Sequence, residues 1–162
     1  MWVRPAPAGY VQGMPARPEH SEQVSGSLLT RLEVELPAEP IAAPMGRQSL
    51  HDLDWRADPE LLDDVRLLVT ELVANSVKHA HLQEEGWIHL RVEILPDVVR
   101  VRVDDPGTVG FDSKPEPPAG RSSGWGLVLV DQLADRWGVE RPANDGTSVW
   151  FEIDRLRASA SN

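Results

Sequence analysis

One long amphipathic segment, DDVRLLVTELVANSVKHAH from Asp63 to His81, constrains the fold of this chain more than any other. On a helical wheel of ~100° per residue, the apolar residues in and just before it fall on one broad arc, which predicts a helix packed against a core by one side. The arc consists of Leu61, Val65, Leu68, Val69, Leu72 and Val73. Glu71, Asn75 and Lys78 lie outside it and share a face, because they are spaced i, i+4 and i+7. Taken alone, this stripe fits either a solvated face with a weak ion pair or a functional face.

Length, charge and cysteine content restrict the class of protein. A chain of 162 residues is expected to form one domain with a substantial core. Its 16 basic and 26 acidic residues give a net charge of −10, which argues against general binding to nucleic acids or acidic membranes. The absence of cysteine excludes disulfides, thiolate zinc sites and a cysteine nucleophile. No apolar run approaches the ~18 residues of a membrane span, and prolines and glycines interrupt the N-terminus where a signal peptide would be apolar, so we expect a cytoplasmic protein.

The residues before the long helix predict an extension, a strand and a first helix. Residues 1–27 contain prolines and glycines without a sustained period, which indicates a flexible N-terminal extension. Residues 28–36 predict the first strand. Residues 39–55 have a helical pattern, and its apolar side comprises Ile41, Met45, Leu50 and Leu53. The long helix is expected to begin after the capping carboxylate of Asp58, with Pro59 in its first turn, and to end near Ala80.

The next part of the chain predicts a β-hairpin followed by a long loop. Apolar residues alternate with polar ones after Gly86 and again from residue 99 to 104, with a turn at Pro96 and Asp97 between the two runs. Residues 108–123 are rich in glycine, proline and serine. A loop of this length within a compact domain is usually functional or disordered, and its composition is that of a mobile lid.

The C-terminal part predicts a third helix and two more strands. The run LVLVDQLADRWG predicts a helix that begins at Leu127, with Trp137 facing inward and Gly138 as the C-terminal cap. Strands are expected from Val139 onward and over residues 147–153, joined by an Asn-Asp-Gly turn.

Short motifs occur in an order that is more informative than any one of them. Glu71-x-x-x-Asn75-x-x-Lys78-His79 lies on the long helix, Asp105-x-Gly107 at a strand end, Gly124-x-Gly126 before a helix, and Gly146-Thr147 at a strand start. Each glycine motif alone is typical of an ordinary turn. The complete ordered set, with a long loop between its second and third members, is much less frequent by chance.

This set resembles the GHKL nucleotide-binding superfamily of gyrase, heat-shock chaperone, histidine kinase and mismatch-repair ATPases. Within it, the chain looks most like the small anti-sigma-factor serine kinases of bacteria. ELVANSVKHA matches the N box, VRVDDPG the first glycine box, SGWGLVLVDQLADRWGV the second, and DGTSVWFEI the terminal Gly-Thr strand. The likeness covers residues 28–155 and leaves 156–162 as a tail. It implies an α+β fold, a Bergerat-type two-layer α/β sandwich with a mixed sheet and three helices on one face.

The resemblance also implies ATP and Mg²⁺ as cofactors and gives roles to matching residues. Asn75 would bind Mg²⁺ through its amide oxygen, since a hard cation takes oxygen ligands. Glu71, one turn earlier, would be the general base that accepts a proton from an attacking hydroxyl. Asp105 would accept a hydrogen bond from the adenine amine. Gly107 would allow the backbone to approach the base, because it has no side chain.

The remaining positions matching the family surround the phosphates and the base. Gly124 and Gly126 would bend the backbone around the phosphates ahead of a helix whose first amides, beginning near Leu127, favour anions. Thr147 would support the adenine side of the pocket. Lys78 and His79 fit either phosphate contacts or a structural role. Trp125 departs from the basic or small residue that is frequent in relatives, which leaves phosphate contact and lid closure open at this point.

These observations favour an ATP- and Mg²⁺-dependent serine/threonine protein kinase. We expect it to bind a sigma factor and to phosphorylate an antagonist protein. The family resemblance also makes a homodimer an expectation. The main alternative is a module that binds ATP and holds a partner without turnover. A detached histidine-kinase catalytic domain fits less well, since no helix pair with an acceptor histidine precedes the ATPase region. A Rossmann domain fits least, because the residues from Gly124 to Leu127 lack the full dinucleotide fingerprint and follow a loop.

Overall fold

The computed structural model describes residues 28–53, 55, 59–106, 126–141 and 146–155. The predicted extension, tail and lid therefore lie outside the described residues, and those three expectations stay predictions. The elements in chain order are β1 (Thr30–Pro37), α1 (Ala42–Ser49), a 3₁₀ helix (Leu50–Asp52), α2 (Pro59–Ala80), β2 (Trp87–Ile94), β3 (Val98–Asp105), α3 (Gly126–Leu133), β4 (Arg136–Glu140) and β5 (Thr147–Asp154). None of the helices in these ranges is both long and apolar enough to cross a bilayer.

The strands form one five-stranded sheet in the order β1-β2-β3-β5-β4, and all hydrogen-bonded neighbours are antiparallel. The mixed sheet implied by the resemblance is therefore wrong for the described strands, although the α+β two-layer fold is confirmed. The connection through α3 does orient β4 parallel to β3, as a crossover does. However, β5 folds back from β4 and pairs between them, so no parallel pair forms. One apolar row crosses all the strands through Val34, Leu90, Val103, Val149 and Val139.

The core lies between one face of the sheet and the helices. Alternate residues of β2, β3 and β5 supply the sheet side, where burial follows the period of two expected for strands. The helix side includes all six members of the predicted arc on α2, each at most 7 % exposed. The long helix begins at Pro59 as predicted. The periodicity of this segment therefore fixes which side of α2 faces the sheet.

The first helix is shorter than predicted and presents a different side to the core. Ile41 and Met45 are 53 % and 41 % exposed, whereas Ala42, Ala43 and Gly46 are buried. A methyl group at Gly46 would lie 3.2 Å from Cδ1 of Leu36 and 3.6 Å from Cγ1 of Val69. Small residues face the core because α1 lies so close to β1 and α2 that larger side chains have no room. The predicted apolar side of this helix was wrong for Ile41 and Met45.

The third helix ends earlier than predicted, because Trp137 and Gly138 belong to β4. Trp137 is buried opposite Phe151 of β5, and its indole nitrogen donates a hydrogen bond to Asp131 at 3.1 Å. A methyl group at Gly138 would lie 2.9 Å from Nε1 of Trp150, so this glycine makes room for an indole on the neighbouring strand. The predicted role of Gly138 as a helix cap is therefore wrong.

The opposite face of the sheet carries arginine–carboxylate pairs. Glu152 accepts hydrogen bonds from Nε of Arg100 at 2.7 Å and Nε of Arg136 at 2.6 Å, so it joins β3 to β4 across β5. Hydrogen bonds raise the pKa of Arg136 above its usual value, and the bond to Glu152 contributes more than the bond to Asp154. At the other edge, hydrogen bonds lower the pKa of Glu33, and the bond from Arg91 contributes more than the bond from Arg31. The charges of this face therefore pair across strands.

Replacing Glu152 with glutamine is expected to lower the free energy of unfolding by about 1–2 kcal/mol, because two guanidinium groups lose a shared carboxylate that is only 12 % exposed. The loss should shrink at high salt, as screening weakens these contacts. Urea denaturation at two salt concentrations measures both effects. The control is Glu35→Gln, because Glu35 is 69 % exposed and lies 3.7 Å from His89. Equal effects of the two substitutions would contradict the proposed importance of Glu152.

Candidate functional site

The polar stripe of α2 lies beside the buried arc. Glu71 and Asn75 are each half-buried, and Lys78 is exposed. His79 also lies in α2, but its side chain is outside the described part of the chain. Because Leu72 and Val73 pack in the core, Glu71 and Asn75 are held at the margin of the buried arc. The acid and the amide are thus partly shielded from water without being enclosed.

The first residue of α3 contacts the turn of α2 that carries both of these residues. A methyl group at Gly126 would overlap Nδ2 of Asn75, and it would lie 3.3 Å from Cγ of Asn75 and 3.6 Å from the carbonyl oxygen of Glu71. A side chain at position 126 would therefore compete for space with the carboxamide of Asn75, and glycine avoids this conflict. The side chain of Leu127 is buried in the core, which leaves its main chain as its means of ligand contact. Gly124 and Trp125 lie outside the described residues.

A second group of predicted residues meets at the ends of β3 and β5. Asp105 pairs with Thr147 across the two strands, and they are 4 % and 3 % exposed. Asp105 is two residues after the buried Val103 on β3, so both side chains lie on the side of the sheet that faces the helices. A methyl group at Gly146 would lie 2.8 Å from the carbonyl oxygen of Asp105, which requires glycine at that position. Gly107, which follows β3, is outside the described ranges.

Both groups lie on the helix-facing side of the sheet, and α2 packs against β3 in this layer. Their donors and acceptors suit a nucleotide: a buried carboxylate for a base amine, glycines that allow close backbone approach, and the N-terminal amides of α3 for phosphate. Within the described ranges, no group of three His, Cys, Asp or Glu residues is placed to hold a metal ion. The amide oxygen of Asn75 is a ligand of the type that Mg²⁺ accepts when phosphate oxygens supply the rest of its coordination.

Sequence comparison decides the family to which this site belongs. Residues 36–153 match the family described as the histidine kinase-like ATPase domain. The chain belongs to this family. The predicted superfamily is therefore confirmed.

Named relatives place the chain more closely within the ATPase family. It is 33 % identical over 133 residues to the serine-protein kinase RsbW of Listeria monocytogenes, an alignment that covers 74 % of this chain and 83 % of that protein. It is also 30 % identical over 103 residues to the anti-sigma F factor of Clostridium beijerinckii, covering 57 % of this chain and 71 % of that protein. The predicted likeness to anti-sigma-factor serine kinases is therefore confirmed.

A solved structure supports the fold independently. The structure of the RsbU and RsbW domains of Rv1364c from Mycobacterium tuberculosis superposes on 78 % of this chain with a TM-score of 0.57 and 23 % sequence identity. The match covers 32 % of that longer chain. At this identity the comparison shows a shared fold, in agreement with the two layers described above.

The sequence motifs name the candidate residues but do not show two contacts between them. The approach of Gly126 to Asn75 and that of Gly146 to Asp105 join residues about fifty and forty positions apart, so no local pattern shows them. The only available signal was a glycine in each motif, and a glycine at a helix or strand start is equally typical of a turn.

Proposed function

We propose that the chain is an ATP- and Mg²⁺-dependent serine/threonine protein kinase that acts as an anti-sigma regulatory factor. In this scheme it binds a sigma factor, is displaced by an unphosphorylated antagonist, and inactivates that antagonist by phosphorylating a serine. The observation that carries the proposal is the half-buried pair of Glu71 and Asn75, one turn apart on α2 and contacted by Gly126 at the start of α3.

Each residue of the pair has one task in phosphoryl transfer. Asn75 would hold Mg²⁺ through its amide oxygen and so fix the position of the phosphates. Glu71 would accept the proton of the attacking serine hydroxyl. ATP supplies the phosphoryl group when bound, and most of the catalysis in such a transfer comes from positioning and electrostatic stabilisation. The main-chain amides at the start of α3, from Leu127 onward, would bind phosphate oxygens.

The other group of residues would select the base. Asp105 would accept a hydrogen bond from the exocyclic amine of adenine, with Thr147 beside it on β5. Guanine presents a carbonyl oxygen at the equivalent position, which a carboxylate repels. The burial of Asp105 strengthens this preference, because a buried site that hydrogen-bonds a polar group discriminates against ligands lacking it.

The kinase is favoured over the passive binding module. Relatives that are 33 % and 32 % identical to this chain over 133 aligned residues bear the name serine-protein kinase. Glu71 would supply the proton acceptor that turnover needs. A homodimer, a cytoplasmic location and contacts of Lys78, His79, Gly107, Gly124 and Trp125 with the nucleotide stay predictions.

Asp105→Asn is expected to lower ATP affinity strongly and to reduce the preference for ATP over GTP, which reaches about 10⁴-fold in favourable sites of this kind. Calorimetry with both nucleotides measures the effect. The control is Asp104→Asn, since Asp104 is the preceding residue of β3 but pairs with Arg102 on the other face of the sheet. Equal affinity of the parent protein for ATP and GTP would refute the role given to Asp105.

Glu71→Gln and Asn75→Ala are expected to have different effects. Glu71→Gln keeps size and polarity but cannot accept the proton, so ATP binding should persist while phosphoryl transfer falls roughly 10²–10⁴-fold. Asn75→Ala removes a metal ligand, so Mg²⁺-dependent ATP binding and transfer should weaken together. Glu60→Gln serves as control, because Glu60 is exposed in the first turn of α2.

The decisive measurement is incubation with labelled ATP and each candidate antagonist encoded in the same genome. Transfer of label to an antagonist serine, lost in Glu71→Gln, supports the kinase. If the parent labels no antagonist and Glu71→Gln changes no partner interaction, the binding module replaces the kinase.

A further inference from the structure

We infer that Gly126 is the positioning residue for Asn75, so that the bare backbone at the start of α3 sets the orientation of the carboxamide on α2. The contact itself is a feature of the structure. Its consequence for Mg²⁺ rests on the proposed function, in which Asn75 is the metal ligand.

The distances show what a side chain at position 126 would displace. A methyl group there would overlap Nδ2 of Asn75, whereas its 3.6 Å distance to the carbonyl oxygen of Glu71 is an ordinary contact. The conflict thus falls on the end of a side chain and not on the backbone of α2. Rotation of the Asn75 carboxamide relieves it at lower cost than a shift of either helix, because both helices pack in the same core.

The orientation of the carboxamide decides which of its atoms is available to a cation. Since Nδ2 faces Gly126, the oxygen on the other branch of this planar group is directed away from the first residue of α3. Hard cations take the oxygen and not the nitrogen. Gly126→Ala is therefore expected to disturb the metal ligand while leaving α2 and α3 in place.

The test compares the parent, Gly126→Ala, Asn75→Ala and the double variant. Affinity for a non-hydrolysable ATP analogue is measured with Mg²⁺ and with EDTA, and thermal unfolding is measured without nucleotide. Gly126→Ala should reduce the affinity ratio, defined as the affinity with Mg²⁺ divided by that with EDTA, by about 10-fold. This is the lower end of the range for residues that orient metal ligands. In the Asn75→Ala background it should cause no further reduction.

Unfolding provides a readout that does not depend on the nucleotide. Gly126→Ala should lower the midpoint by about 2–4 °C when Asn75 is present, because the methyl group and the carboxamide compete for space. With Asn75→Ala the same change should have no effect or raise the midpoint, since alanine is the better helix former. Gly46→Ala is the matched control: this buried helix glycine contacts Leu36 instead, so its effect should be the same in both backgrounds and the affinity ratio should not change.

The outcomes separate this inference from the proposed function. Equal effects of Gly126→Ala in both backgrounds, on the affinity ratio and on unfolding, would overturn the positioning role. If Gly126→Ala is insoluble, rescue by Asn75→Ala supports the inference and failure of rescue overturns it. If Asn75→Ala leaves the affinity ratio unchanged while the unfolding effects remain coupled, Gly126 still positions Asn75, but the metal role in the proposed function fails.

Discussion

The one-sided burial of α2 is the constraint on which the site depends. Its valines and leucines face the sheet, and rotating the helix by one residue, ~100°, would carry a carboxylate into the apolar core at a cost of several kcal/mol. Hydrophobic packing therefore fixes the direction in which Glu71 and Asn75 point. Residues far from any ligand, such as Val65 and Leu68, in this way determine the geometry of the proposed chemistry.

Close backbone approach then brings later parts of the chain to these residues. Gly126 meets Asn75 at the start of α3, and Gly146 meets the main chain of Asp105 ahead of β5. Both contacts join a motif from the middle of the chain to one near its end. Gly126 and Gly146 are thus structural partners of the earlier polar residues, whether or not they also contact phosphate.

The sequence predicted those parts of the fold in which one period dominates. The arc of α2 and the β2–β3 hairpin follow from helical and strand periods, and Asp105 lies at the strand end as predicted. Prediction was wrong where tertiary packing overrides the local pattern. The core accepts Gly46 and not Met45 from α1 because the two layers are close, and Trp137 leaves the predicted helix to pair with Phe151. The pairing of β5 between β3 and β4 has no local signal at all.

A carboxylate at position 71 favours the proposed turnover over passive binding of ATP. If the phosphates lie against Asn75 and the first amides of α3, as proposed, a carboxylate one turn away repels them. A module that only holds ATP would bind it more tightly with a neutral residue at position 71. Its half-buried position makes the repulsion stronger than it would be in open water. A carboxylate in this place would therefore cost affinity, and the proposed proton acceptance from a serine hydroxyl would offset this cost.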